Sequence, residues 1–78
     1  MMNNILDLHG KRHHEVENDV ARFINDSLNS GLSSVDIITG YSDKMQDIVI
    51  DVAKQYQLDY VIGDYNNRGY ITLHLWSY

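Results

Sequence analysis

The sequence predicts a two-layer α/β sandwich with the element order β-α-β-α-β-β. Two segments repeat apolar residues with the 3.6-residue period of a helix, and four short runs are rich in β-branched and aromatic residues. Strand-helix-strand crossovers are right-handed, so both helices are expected on one face of a four-stranded mixed sheet. The length of 78 residues fits a single domain, residues 1–78.

The first predicted strand carries an acid and a histidine two positions apart, in the run Ile-Leu-Asp-Leu-His-Gly of residues 5–10. Side chains alternate along a strand, so Asp7 and His9 should share one side while Leu6 and Leu8 anchor the other. Gly10 allows a sharp turn after them. Three interpretations stay open for the pair: a catalytic acid/base couple, half of a metal site, or an ordinary buried hydrogen bond that fixes the turn.

The first helix is predicted over about residues 13–30. Its apolar stripe is followed by Gly31, a typical helix stop, but no Ser, Thr or Asp precedes it as an N-cap. The stripe consists of Val16, Val20, Phe23, Ile24 and Leu28.

A second β-branched run at residues 35–38 leads into the loop Thr39-Gly40-Tyr41-Ser42. Asp43 and Gln46 are spaced as a capping box, which predicts a second helix from there to about residue 57. Its apolar face holds Met45, Ile48, Val49, Val52 and Tyr56.

The last third is predicted to be a hairpin, with strands at residues 60–62 and 70–76 around the turn 66–69. A loop of two or four residues would set Ile62 opposite Leu73 and Tyr60 opposite Leu75. Together with Ile71 they would form one apolar face. The other face would carry Val61, Tyr65, Tyr70, Thr72, His74 and Trp76.

Composition excludes several classes of protein. There is no cysteine, hence no disulfide and no thiolate zinc site. No apolar run approaches the ~20 residues that span a bilayer. The N-terminus lacks the basic and apolar regions of a signal peptide, so a cytoplasmic protein without membrane contact is expected.

The net charge of −5 argues against a polyanionic ligand, because eleven acids outnumber six Lys and Arg. The predicted placement of the basic residues argues the other way. If the third strand is parallel to the first two, Lys11, Arg12, Lys44 and Arg68 gather at the carboxyl edge of the sheet, where ligands of parallel β-α units bind. A solvated surface is the alternative; phosphate binding there would be weak and steeply salt-dependent.

Residues 6–10, Leu-Asp-Leu-His-Gly, together with the Thr-Gly-Tyr-Ser loop, the two helices and the closing hairpin, resemble the Smr (small MutS-related) domain. The resemblance implies a fold like the C-terminal domain of bacterial translation initiation factor three. It also implies an endonuclease acting on RNA or branched DNA. In the family, cleavage is attributed to the Asp and His of the first motif and to a His-Gly-x-Gly loop.

By position, the resemblance implies Asp7, His9, Thr39 and Gly40 as catalytic residues. Thr39 replaces the histidine found in many members, and Ser42 replaces the second glycine. His13 and His14 are candidates for the missing proton donor. Nucleic-acid contacts are expected from residues around the same edge: Lys11, Arg12, His13, Tyr41, Ser42, Lys44, Arg68 and Tyr70.

The partner is expected to be RNA or DNA, free or within a ribosome or other ribonucleoprotein. The spacing predicts no protein metal site, and the cofactor is left open with Mg²⁺ as the candidate. One alternative function is a non-catalytic docking module on nucleic acid. Another is a protein-interaction module, including a homodimer, that uses the open aromatic face of the sheet.

Overall fold

The predicted order of elements is confirmed in the computed structural model, which describes residues 4–75. Two helices pack on one four-stranded sheet. The strands are β1 (Ile5–Asp7), β2 (Ser34–Ile38), β3 (Asp59–Ile62) and β4 (Tyr70–His74), and the helices are α1 (His13–Asn29) and α2 (Asp43–Gln55). Within residues 4–75 neither helix is long and apolar enough to cross a membrane.

The sheet is mixed, with the strand order β1-β2-β4-β3. β1 and β2 are parallel, whereas β4 is antiparallel to both of its neighbours, β2 and β3. β3 therefore runs in the same direction as β1 and β2. The carboxyl ends of three strands thus meet at one edge of the sheet, which is the condition for Arg68 to lie at that edge.

The core lies between the helices and one face of the sheet, because apolar residues alternate along β2 and β4 and repeat with helical period along α1 and α2. Within residues 4–75 no layer covers the other face, which we call the open face. Fully buried core side chains include Leu8, Val16, Val20, Ile24, Val35, Ile37, Val49, Ile71 and Leu73.

The hairpin register differs from the prediction by two residues. Ile62 lies opposite Ile71 and Tyr60 opposite Leu73, and residues 63–69 form a longer connection than expected. The reason is Asp64, whose carboxylate accepts backbone N–H groups and builds a wider turn. Because the shift is even, the same side chains face the core. Trp76, predicted on the open face, lies outside the described residues.

The start of α2 also differs from the prediction. Ser42, not Asp43, is the N-cap: its Oγ accepts the Met45 N–H at 3.1 Å, and Asp43 is the first helical residue. The predicted Asp43–Gln46 capping box is therefore wrong. α2 ends at Gln55, two residues before the predicted end. α1 begins at His13, and its N-cap residue, Arg12, makes no side-chain capping hydrogen bond, in agreement with the prediction.

Candidate functional site

Three loops meet at the carboxyl edge of the sheet, and we call residues 8–12, 39–42 and 63–69 together the rim. The Gly69 carbonyl accepts the backbone N–H groups of Thr39 and Gly40, each at 2.9 Å. The Leu8 N–H donates to the Ile38 carbonyl at 2.9 Å. These bonds hold the loops after β1, β2 and β3 side by side, as expected for three strands that run in the same direction.

The β1–α1 loop is a tight turn that displays His9. The Lys11 N–H donates to the Leu8 carbonyl at 3.0 Å, and Gly10 has a φ of +81° at the third position. This is the type II pattern, which needs glycine there. Leu8 is buried and anchors the turn, so His9 lies at its outer corner.

Asp7 and His9 are linked through the backbone of the histidine. One carboxylate oxygen of Asp7 accepts the His9 N–H at 2.8 Å, and both residues are exposed. Within residues 4–75 the imidazole has no hydrogen-bond partner, and it is not sealed under α1. The predicted hydrogen bond between the two residues therefore exists and fixes the turn, but it is exposed and made by the backbone N–H, not buried. The ring nitrogens and the second oxygen of Asp7 are available to a ligand.

Thr39 lies inside the joint between the other two loops. Its side chain is nearly buried, and its hydroxyl lies 2.8 Å from the Gly40 carbonyl and 3.3 Å from that of Gly69. Gln46 reaches the same place, donating to the Arg68 carbonyl at 2.8 Å and to the Thr39 hydroxyl at 3.3 Å. Gln46 is the residue that sequence reasoning missed, because its spacing from Asp43 matched a capping box.

The β3–β4 loop is organised by Asp64. Its Oδ1 accepts the N–H groups of Asn66 and Asn67 at 2.7 and 2.8 Å, and its Oδ2 accepts the Tyr70 hydroxyl at 3.1 Å. The backbone N–H groups of Asn67 and Asn66, and then the Tyr70 hydroxyl, hold the pKa of Asp64 below its usual value. The same hydrogen bond to Asp64 raises the pKa of Tyr70, which stays a neutral phenol.

The basic residues at and next to the rim differ in whether an acidic side chain pairs with them. Lys11 is paired with Asp19 on α1 at 3.0 Å, so part of its charge is neutralised. Arg12, Lys44 and Arg68 are exposed and make no ion pair within residues 4–75. The surface at this edge thus offers three unpaired cations to an anionic ligand.

The remaining predicted contacts fall into two groups. His13 and Tyr41 are exposed beside the rim, and Tyr41 lies within 3.4 Å of the Asn67 amide oxygen. Ser42 is occupied as the helix cap. Among residues 4–75 no three His, Asp or Glu side chains converge as metal ligands.

Comparison with known proteins identifies a family and a fold. A family model described as the Smr domain matches residues 6–68. The fold is similar to a solved structure described as YdaL, a stand-alone small MutS-related protein from Escherichia coli, with a TM-score of 0.70 at 22% identity. The match covers 92% of this chain and 63% of that one, so the chain spans less than two thirds of its length. A search of curated proteins found no significant match.

Proposed function

The chain belongs to the Smr domain family, and from that premise we propose that it binds nucleic acid and cleaves phosphodiester bonds at the rim. Proteins of this family generally bind nucleic acid, and some members are nucleases. Asp7 and His9 would carry the chemistry, and the unpaired cations would hold phosphates. RNA or structured DNA, in the cytoplasm, is the proposed substrate.

The observation that carries the proposal is the exposed His9 imidazole, held at the corner of a turn by Asp7 and Gly10. Histidine is the side chain best suited to accept or donate a proton near neutral pH. A histidine with a purely structural role would be expected to bond its ring to the protein. The His9 ring instead has no partner within residues 4–75.

In the proposed step, His9 accepts the proton of the attacking hydroxyl, from water or from a ribose 2′-OH. The bond from phosphorus to the leaving oxygen breaks, and that oxygen takes a proton from the solvent. Asp7 keeps the turn in place with one oxygen and leaves the second to orient the imidazole or a water molecule. Thr39 and Gly40 serve as positioning residues, because their polar groups are bonded inside the loop joint.

In this scheme phosphates bind to Arg12 at the start of α1, to Arg68 in the β3–β4 loop and to Lys44 at the start of α2. Three unpaired cations in a protein of net charge −5 predict modest affinity that falls steeply with salt. The free backbone N–H groups at the uncapped start of α1 add a further favourable field for phosphate.

A cleavage assay on single-stranded, duplex and structured RNA and DNA, with and without Mg²⁺, tests the proposal. We expect cleavage by the wild type of at least one substrate, and its loss in Asp7→Ala and in His9→Ala. His74→Ala is the matched control, since His74 is exposed and lies opposite Ser34, the first residue of β2, at the other edge of the sheet. Equal cleavage by the wild type and the two site variants would contradict the catalytic assignment.

A second candidate function is a docking module that binds nucleic acid, or a ribonucleoprotein such as the ribosome, without cutting it. The observation that favours it is Thr39, whose hydroxyl is engaged by Gly40, Gly69 and Gln46 and is hardly exposed. Binding that survives Asp7→Ala but fails in Arg12→Glu and Arg68→Glu, without cleavage, would support docking. A homodimer formed through the open face would instead give a molecular mass in solution that rises with protein concentration towards twice that of the monomer.

A further inference from the structure

The open face of the sheet carries a pocket of about 240 Å³ directly beside Asp7. Ile38, which lines it, is the pairing partner of Asp7 across β1 and β2, and Ile5 precedes Asp7 by two residues on the same face. The pocket and Asp7 therefore share one face of the sheet. The lining residues are Ile5, Asp36, Ile38, Asn67, Gly69 and Tyr70.

The walls of the pocket are suited to a flat ring. Ile5 and Ile38 expose 44% and 36% of their surface, which is unusual for isoleucine, a residue that proteins mostly bury. Tyr70 is the pairing partner of Ile38 on β4, and its hydroxyl is tied to Asp64 at 3.1 Å. The aromatic ring is thus held in place next to an apolar wall before any ligand arrives.

The pocket also offers one fixed donor and one fixed acceptor. The Asn67 Oδ1 accepts the Gly69 N–H at 2.9 Å. Because a backbone N–H can only donate, the bonded atom must be the amide oxygen, and the NH₂ group of Asn67 points away from Gly69. Asp36 accepts the Thr72 hydroxyl at 2.6 Å through Oδ1. Its Oδ2 and the NH₂ group of Asn67 have no hydrogen-bond partner within residues 4–75.

The charges in and around the pocket fit a ligand that has an uncharged part and an anionic part. Asp36 lines the pocket, and Asp64 is bonded to the hydroxyl of Tyr70, which also lines it. Both carboxylates disfavour a phosphate inside the pocket. Arg68 lies in the chain between Asn67 and Gly69, two residues of the lining, and it is exposed without an ion pair in the described part of the chain. An uncharged ring in the pocket and a phosphate on Arg68 match this arrangement.

We propose that the pocket binds one unpaired nucleobase of the strand whose phosphates contact the rim. The inference rests on the proposed function and adds to it the substrate class, an unpaired segment of nucleic acid. Bases carry donors and acceptors side by side on the edge that pairing occupies, and proteins read unpaired bases by stacking and by bonds to that edge. A base within a duplex cannot present this edge to Asp36 and Asn67.

The test measures fluorescence anisotropy at low salt with a short labelled single strand, with its perfect duplex and with a strand in which abasic sites replace the bases. Ile38→Ser and Ile5→Ser remove the apolar walls. Val61→Ser is the matched control, because Val61 is 52% exposed on the open face and lies outside the pocket. Circular dichroism confirms that each variant is folded.

We expect the wild type to bind the single strand more tightly than the duplex or the abasic strand. Either wall variant should lose about fivefold to tenfold of the single-strand affinity, the effect of weakening contact with one base. Duplex binding should be unchanged in both, and Val61→Ser should behave as the wild type. A free nucleoside monophosphate should compete far less well than the strand, which also contacts the rim.

Each contrary result has a separate meaning. If wild type binds single strand and duplex, and the wall variants change neither, the pocket inference is overturned while nucleic-acid binding stands. If a free mononucleotide competes as well as the strand, the pocket is a nucleotide site and the strand assignment is overturned. If the wild type binds none of the probes at low salt, the proposed function and the pocket inference both fail.

Discussion

The two halves of the rim are held in different ways. The β1–α1 half, residues 8–12, depends on a single backbone turn and the Asp7 carboxylate, and its exposed His9 and Arg12 have no side-chain partner within residues 4–75. The other half, residues 39–42 and 63–69, is bonded to itself through the Gly69 carbonyl, Gln46 and Asp64.

This difference suggests that one half of the rim carries out the chemistry and that the other half supports it. A group that exchanges protons or binds phosphate must keep its polar atoms free, whereas a scaffold is rigid when its polar atoms are satisfied. The unpartnered half therefore carries the proposed chemistry and the bonded half positions it. Variants that remove the hydrogen bonds of the second half should lower stability. Variants of the unpartnered side chains, His9 and Arg12 in the first half and Arg68 in the second, should change binding or cleavage at nearly constant stability.

The largest effect on stability is expected from Gly63→Ala. Gly63 has a φ of +52°, and a Cβ there would collide with the backbone carbonyl of Asn67. We expect about 3 kcal/mol of destabilisation in urea unfolding, from left-handed strain plus the collision. Gly31→Ala is the control: its φ is also positive but the space around it is open, so about 1 kcal/mol is expected. Equal losses would show that the loop is not tightly held.

Gln46→Ala should lower the free energy of unfolding by about 1–2 kcal/mol, because the Arg68 carbonyl and the Thr39 hydroxyl lose their shared donor. Gln55→Ala, at the exposed end of α2, should change it by less than about 0.5 kcal/mol. Thermal or urea unfolding measures both. If the two variants have the same free energy of unfolding, Gln46 does not stabilise the joint.

Asp19→Asn should release Lys11 into the unpartnered half. The exposed pair contributes only about 0–1 kcal/mol to stability. Binding should respond more clearly, with the slope of log affinity for a single strand against log salt steeper by about 0.7, the contribution of one more phosphate contact. Glu17→Gln removes the same charge from α1 without freeing a lysine, so its slope should stay that of the wild type. Equal slopes in the two variants would contradict the release of Lys11.

The smallest effect concerns the pH dependence of stability through Asp64. Its pKa is lower in the folded protein than in the unfolded chain, so its contribution is present above the unfolded value and is lost as pH falls through the folded one. Urea unfolding should show wild type more stable than Asp64→Asn at pH 7, with the gap closing towards pH 3. Asp47→Asn, an exposed acid on α2, corrects for the change in net charge. A gap that widens on acidification would contradict the bond network.

Sequence periodicity was sufficient for the elements and the core face of this protein. The alternation around Asp7 and the apolar stripe of α1 both result from the burial of apolar side chains. Burial on one face produces a periodic pattern of apolar residues that can be recognised in the sequence. Placing Arg68 at the rim was less direct. It required β3 to be parallel to β1, and a local hairpin signal does not tell which of its strands joins the rest of the sheet.

The individual bonds of the rim could not be read from spacing. Gln46 lies three residues after Asp43, which fits a capping box, yet its amide bridges to a loop 22 residues away in the chain. Likewise, Asn66 to Gly69 signals a turn, but the register depends on the carboxylate of Asp64 before it. Alternation placed Asp7 beside His9 without showing that the carboxylate binds the backbone N–H rather than the ring.

The most direct test of the account is the effect of His9→Ala on single-turnover cleavage and on affinity, measured in the same preparation on the substrate that the wild type cuts. We expect a cleavage rate at least about a hundredfold lower, with the dissociation constant and the unfolding free energy close to those of wild type, because the His9 ring makes no hydrogen bond or ion pair within residues 4–75. Unchanged cleavage, or a loss of rate that only follows a loss of binding, would contradict it.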